Sequence, residues 1–113
     1  MDETVKLAEQ LGKAIAGSPQ AARLQQARKA MEADKAAASL LKDFNAQADR
    51  IAQLEQQNKP IEVDDKRKLQ DLHDKLVACQ SFKQYQAAQV EYMDLMRQVS
   101  QAVRQPLADT EGN

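Results

Sequence analysis

Few side chains of this chain could do chemistry, because it has a single histidine and a single cysteine. His73 lies in a predicted helix between Asp71 and Asp74. A general base needs an acid on its own face or across a cleft. Adjacent residues in a helix point in different directions, so Asp74 cannot orient the ring. We therefore interpret His73 as a solvated or interface residue without a catalytic role.

Cys79 shares an apolar stripe with Leu76 and lies just before a predicted helix start at Ser81. A helix N-terminus can weakly activate a thiol, but a small buried apolar residue fits this stripe better. One Cys cannot form an internal disulfide, and one Cys with one His cannot complete a structural zinc site. The sequence therefore predicts no catalytic residue, no metal site and no cofactor.

Basic side chains are the other group that could bind a ligand. The densest cluster, Lys66-Arg67-Lys68, could touch phosphates, but nearby acids dilute it, and we interpret it as a solvated helical turn. Small helical enzymes such as chorismate mutases bind dicarboxylates through arginines from several helices. This chain has five candidates for that role: Arg23, Arg28, Arg50, Arg97 and Arg104. Because the predicted inner stripes are apolar and the arginines flank them, an enzyme is the weaker hypothesis.

The composition fits one helical domain without a membrane or nucleic-acid role. The 113 residues include three glycines, three prolines and 4% aromatics, so the core must be aliphatic. Sixteen basic against seventeen acidic residues give a net charge of −1, unlike a protein that grips nucleic acid. Mean hydropathy is −0.69, and no apolar run approaches the ~18 residues of a membrane span. The N-terminus lacks the apolar region of a secretory signal, so we expect a cytoplasmic protein.

The elements around these residues are organised by a predicted long helix, from Asp34 to Lys59. Asp34 can cap its start, and the stretch contains neither Gly nor Pro. At about 1.5 Å per residue the helix spans roughly 37 Å, so it needs a second long helix and another subunit beside it. Its apolar residues recur at spacings of three and four: Leu41, Phe44, Ala48 and Ile51.

Two short helices are predicted before the long one. The first runs from Thr4 to Ala16, and Gly17 is expected to end it in a left-handed conformation. Ser18 and Pro19 then start the second helix, as N-cap and first helical residue.

Two further helices are predicted after a turn that runs from Pro60 to about Val63. Asp64 and Asp65 are expected to cap the fourth helix. The segment 81–84 has the form of a capping box, and the last helix is expected from Phe82 to about Arg104.

These elements predict an all-α fold with two short N-terminal helices followed by a long antiparallel helical hairpin in a coiled-coil-like oligomer. We expect a single helical domain over residues 1–105 and a disordered tail over residues 106–113. The oligomer interface is predicted to lie along the apolar stripes: Leu41, Phe44, Ile51, Leu54, Tyr85, Tyr92, Leu95 and Val99.

Laid out in this way, the chain resembles the YlbF/YmcA family of small bacterial helical proteins over nearly its whole length. The resemblance is a pattern of side-chain sizes and turns, with a polar turn near Pro60. It is carried by LAEQLGKAI leading into Ser18-Pro19, by Leu40-Leu41-x-x-Phe44, by Leu69-x-x-Leu72-x-x-x-Leu76 and by Phe82-x-x-Tyr85-x-x-Ala88.

The resemblance implies an all-α fold with a long helical hairpin that assembles as dimers or higher oligomers. Some members act in a protein complex that influences competence, sporulation and biofilm formation, in part through an endoribonuclease that matures messenger RNA. Certain members are linked to iron–sulfur clusters, which Cys79 alone could not hold within one chain. This chain also departs from the expected pattern in its turn, where Asn58-Lys59-Pro60 stands in place of a Gly.

The leading hypothesis is a non-enzymatic cytoplasmic regulator or scaffold that works through helix–helix contacts. Its expected partners are itself, as a dimer or tetramer, and another regulatory protein, with direct nucleic-acid binding ranked last. A holdase-like helical-hairpin chaperone is the first alternative, and it would leave apolar patches exposed. A small helical enzyme that binds an anionic metabolite is the second.

Overall fold

A computed structural model describes residues 2–111, and these form five α-helices and no strand. The all-α fold class is therefore confirmed. The helices are α1 (Glu3–Ala16), α2 (Pro19–Ala33), α3 (Lys35–Gln56), α4 (Val63–Val77) and α5 (Gln80–Glu111).

The chain divides into two compact units, each described by itself. Within the described residues, the first comprises residues 2–26 and 86–111, and it holds α1, the start of α2 and most of α5. The second comprises Ala27–Tyr85, with the end of α2, all of α3 and α4, and the first residues of α5. The single domain over residues 1–105 stays a prediction.

In the second unit α3 and α4 pack against each other and run in opposite directions. Ala37 near the start of α3 packs with Leu76 near the end of α4, and Met31 of α2 completes this buried cluster. Six half-buried side chains surround it: Leu40, Leu41, Phe44, Cys79, Phe82 and Tyr85. A longer hairpin that includes the last helix, and the oligomer, stay predictions.

A polar contact fixes the register of α3 against α4. Gln47 is buried, and its Nε2 donates to the backbone carbonyl of Asp65 at 2.9 Å. Arg50 Nε donates to the Asp65 carboxylate at 3.1 Å. Because a buried amide without a partner is costly, this contact favours one alignment of the two helices.

The predicted caps at the first two corners are confirmed. Ser18 Oγ accepts from the backbone N–H of Ala21 at 3.1 Å, and Pro19 is the first residue of α2. Asp34 accepts from the backbone N–H of Ala37 at 3.2 Å, at the start of α3. The left-handed conformation expected at Gly17 is wrong, since its φ is −90° and the chain turns directly into α2.

Asp64 and Asp65 lie in the first turn of α4 as predicted, where their negative charge favours the helix dipole. Neither is the N-cap, which is Glu62 and makes no side-chain capping bond, and the Asp65 carboxylate also accepts from Arg50 of α3.

The capping box predicted at residues 81–84 is wrong. Helix α5 begins at Gln80, and Ser81 Oγ donates to the Asp34 carboxylate at 2.9 Å rather than closing a capping box.

The last helix does not end near Arg104 as predicted. Helix α5 continues to Glu111, with Pro106 inside it. The Pro106 carbonyl accepts from the Thr110 hydroxyl at 2.9 Å, and Gln105 donates to Asp109 at 3.0 Å. Both side-chain bonds lie in the turn that follows the one in which proline removes a backbone donor. Residues 112 and 113 of the predicted disordered tail lie outside the described residues, and that disorder stays a prediction.

Asn58 occupies the turn position where a glycine is expected, with a φ of 55°. The backbone N–H of Asn58 donates to Glu55, and that of Lys59 donates to Leu54, at 3.1 and 2.9 Å. This pair of bonds is the Schellman motif, which ends a helix with one left-handed residue. Asparagine is among the few residues other than glycine that tolerate this conformation.

We expect Asn58→Val to lower the free energy of unfolding by about 1–2 kcal/mol, because a β-branched residue is strained at positive φ. Asn58→Gly is the matched control and should retain or slightly raise stability. Urea denaturation followed by circular dichroism measures both. Equal stability of the valine and glycine variants would contradict the left-handed turn.

Stability should fall in acid because native hydrogen bonds lower carboxyl pKa values. The N–H of Ala37, and next the Ser81 hydroxyl, lower the pKa of Asp34, and the Arg50 guanidinium lowers the pKa of Asp65. A carboxyl with a lowered folded pKa stabilises the fold above its unfolded pKa of about 3.9. That contribution is lost as the pH falls through the lower, folded pKa.

We therefore expect Asp34→Ala to lower the melting temperature by about 5 °C at neutral pH, and by less in acid. Thermal unfolding between pH 7 and pH 2 tests this, with Asp49→Ala, an exposed carboxyl of α3, as the control. A constant difference between wild type and Asp34→Ala across that range would contradict the capping role.

Candidate functional site

His73 is exposed on α4, and its ring packs against Phe44 of α3 with 6.2 Å between ring centroids. Its Nδ1 lies 3.7 Å from Asp74 Oδ1, which is too long for a hydrogen bond. The His73 ring therefore forms an aromatic contact between α3 and α4. Asp74 does not orient the ring as the acid of a catalytic pair would.

Cys79 lies between α4 and α5, half-buried against the core of the second unit. Its Sγ lies 3.5 Å from the Lys75 carbonyl, a weak hydrogen bond. The side chain packs as a small apolar residue at the corner. Within residues 2–111, no group of three or more His, Cys, Asp and Glu side chains is placed to hold a metal ion.

Three of the five candidate arginines pair with separate carboxylates. Arg23 of α2 contacts Glu91 of α5 at 2.8 Å in the first unit, and Arg97 contacts Asp94 one turn away at 2.6 Å. In the second unit Arg50 contacts Asp65. These pairs are structural contacts of exposed arginines, each worth little to stability. Arg28 lines a shallow groove with Met31, Leu41 and Tyr85, and Arg104 lies on the exposed end of α5.

The basic cluster Lys66-Arg67-Lys68 lies on the first turns of α4, and all three side chains are exposed. Lys66 lines a groove between α3 and α4, whereas Lys68 lines another with Leu72. The three cationic side chains therefore lie on more than one side of α4. This placement favours contact with water over binding of one phosphate group by all three.

The groove beside Lys66 has a volume of about 430 Å³ and is lined by apolar and polar side chains. The apolar ones are Phe44, Ile51, Ile61 and Leu69, and the polar ones are Glu55, Lys66, Gln70 and His73. Its shape and lining suit apolar side chains of another helix, since few polar groups converge on one point.

All eight predicted interface residues are half-buried in the single chain: Leu41, Phe44, Ile51, Leu54, Tyr85, Tyr92, Leu95 and Val99. Leu41, Phe44 and Tyr85 pack against the buried cluster of the second unit. These three therefore already serve the fold of the chain, and part of each remains available to a partner.

The structure also exposes large apolar side chains that sequence reasoning did not place at an interface. They lie on α1, on α5 and at the start of α4: Val5, Leu7, Leu11, Val63, Val90, Met93, Val103 and Leu107. The spacing of Leu7 and Leu11 indicates an apolar face on α1. Spacing alone does not show whether other helices of the chain cover that face.

A protein-family model described as "Control of competence regulator ComK, YlbF/YmcA" matches residues 4–108, from α1 to near the end of α5. The chain belongs to the YlbF/YmcA family. The resemblance found in the sequence is thereby confirmed, and the family is a regulatory one by its description. No curated protein matches the chain in sequence. Among the described helices, none is both long and apolar enough to cross a bilayer.

Proposed function

We propose that this YlbF/YmcA-family chain is a non-enzymatic regulatory scaffold that acts through helix–helix contacts. Its partners are further copies of itself, as a dimer or tetramer, and another regulatory protein. The family description, control of a competence regulator, supports a regulatory role of this kind. The observation that carries the proposal is the amount of surface that the single chain leaves open to solvent.

The chain exposes 8724 Å² of surface, including the apolar side chains of α1 and α5. A folded monomer of 12.6 kDa is expected to expose about 6200 Å². The excess of about 2500 Å² is of the size that each chain of an obligate oligomer buries. Association would remove this surface from water, at about 25 cal/mol for each Å² of its apolar part.

The proposed self-contact includes the eight half-buried residues of the long helices, of which Tyr92, Leu95 and Val99 form a continuous stripe on α5. Half-buried apolar side chains complete their burial when a second helix covers them. The surface that remains outside the oligomer then contacts the regulatory partner. We place this assembly in the cytoplasm, where such a partner would be met.

Capture from the bacterium that makes the protein tests the partner. A tagged wild-type chain should recover one regulatory protein in a fixed ratio, and a variant that does not self-associate should recover less of it. Recovery of many unrelated proteins in no fixed ratio would contradict the scaffold.

A holdase-like chaperone is a second candidate, favoured by the exposure of Val90, Met93, Val103 and Leu107 on α5. Such side chains could bind unfolded chains. Suppression of the aggregation of an unrelated client at equimolar ratio would support the chaperone. Unchanged aggregation in the presence of this protein would favour the scaffold.

A further inference from the structure

A small groove of the second unit is lined by two side chains of opposite charge that have no ionic partner in the part of the chain that the structure describes. Arg28 and Glu32 are exposed on α2, one helical turn apart, and both line this groove. Side chains at this spacing can pair with each other. Here they form neither an ion pair nor a hydrogen bond within residues 2–111. Both charges are therefore open to a ligand from outside the chain.

The rest of the groove is apolar and belongs to the core of the second unit. It is lined by Met31 of α2, Ala38 and Leu41 of α3, and Tyr85 of α5. Met31 is 3% exposed and lies in the buried cluster, against which Leu41 and Tyr85 pack. Close-packed side chains of a core hold their positions without a ligand. The groove therefore presents a preformed apolar surface beside one positive and one negative group.

The size of the groove limits the ligand to a small molecule. Its volume is about 210 Å³, which is below the ~300–1,000 Å³ of pockets that hold drug-sized ligands. This volume corresponds to about seven water molecules in the liquid, at ~30 Å³ each. A molecule of the size of a single amino acid therefore matches the groove.

The pair of opposite charges selects the class of that molecule. A guanidinium binds a carboxylate through two parallel hydrogen bonds, and a carboxylate binds an ammonium. One side chain inserted by another protein could match only one of the two charges, whereas an α-amino acid carries both on one carbon. We propose that the groove binds a free apolar α-amino acid, with its carboxylate on Arg28, its ammonium on Glu32 and its side chain on Met31 and Leu41. This site goes beyond the proposed function and does not depend on self-association.

Titration of the whole chain with L-leucine, followed by the backbone amide chemical shifts in nuclear magnetic resonance, tests the site. We expect saturable shifts around Arg28 and Glu32. Arg28→Gln should raise the dissociation constant of leucine about 10–100-fold, because a charge-assisted hydrogen bond is lost. Lys29→Gln is the matched control, since Lys29 is exposed beside Arg28 but does not line the groove, and it should bind leucine as the wild type does. Circular dichroism checks that the helices are retained.

Two analogues of leucine, each without one of the charges, test which side chain binds which group. Leucinamide lacks the carboxylate and 4-methylpentanoate lacks the ammonium, so the wild type should bind each at least about 10-fold more weakly than leucine. Arg28→Gln should bind leucine and leucinamide about equally, and Glu32→Gln should bind leucine and 4-methylpentanoate about equally. A general change of structure would instead weaken the binding of all three ligands together.

Several results would overturn the site. One is the absence of saturable binding when the wild type is titrated with leucine up to the solubility of the amino acid. Another is binding that Arg28→Gln and Glu32→Gln leave unchanged, or that they weaken equally for all three ligands. An equal loss in Lys29→Gln would overturn the assignment to the groove. L-serine that binds as tightly as leucine would overturn the contact of an apolar side chain with Met31 and Leu41.

Discussion

Leu76→Ala is expected to lower the free energy of unfolding by about 2–5 kcal/mol, because it removes a fully buried side chain and leaves a cavity. Leu76 is 1% exposed and packs with Met31 and Ala37 where α2, α3 and α4 meet. A domain of this size has about 5–15 kcal/mol of total stability, so one substitution could consume a large fraction of it. Leu76 is the largest fully buried side chain among the described residues.

Urea denaturation followed by circular dichroism at 222 nm measures this loss. Val77→Ala is the control, since Val77 is the next residue on the same helix and is half-buried. Its cost should be about 1 kcal/mol or less. Equal costs for the two variants would contradict the position of the core between α2, α3 and α4.

Leu95→Asp is expected to dissociate the oligomer or unfold the chain, because it places a charge in the middle of the apolar stripe of α5. Leu95 is half-buried in the single chain, between Tyr92 and Val99 along that stripe. A carboxylate that must leave water without a partner costs several kcal/mol, which corresponds to at least about a 100-fold weaker association. Size-exclusion chromatography with light scattering measures the mass, and thermal unfolding measures the stability.

Gln101→Asp is the matched control for this variant. Gln101 is exposed on the same helix and is already polar, so the new carboxylate stays in water and the mass should be unchanged. An unchanged oligomer together with an unchanged melting curve for Leu95→Asp would remove Leu95 from the interface and contradict the proposed stripe.

The helices were predictable from the sequence where local chemistry decides their ends. Ser18 and Asp34 bond to backbone N–H groups three residues ahead, a contact that needs no other part of the fold. The prediction failed at Ser81, because its hydroxyl donates to the Asp34 carboxylate. At Asp65 the sequence placed the acid in the first turn of α4 but missed its bond to Arg50. Such tertiary bonds join residues that are distant in sequence, so spacing along one helix does not reveal them.

The candidate interaction surface was predictable only in part, for a similar reason. The spacing of apolar residues in α1 resembles that in α4, where Leu72 and Leu76 also recur four residues apart. In the structure Leu76 is buried, whereas Leu7 is exposed. Periodicity identifies an apolar face in both helices, but only packing shows which face the chain covers by itself.

The solution mass, measured by light scattering across a dilution series, tests the central claim most directly. The scaffold account predicts a dimer or tetramer whose mass stays constant as the protein is diluted through the micromolar range. A well-folded monomer of 12.6 kDa at every concentration would contradict it, because the exposed apolar faces would then have no second copy to cover them.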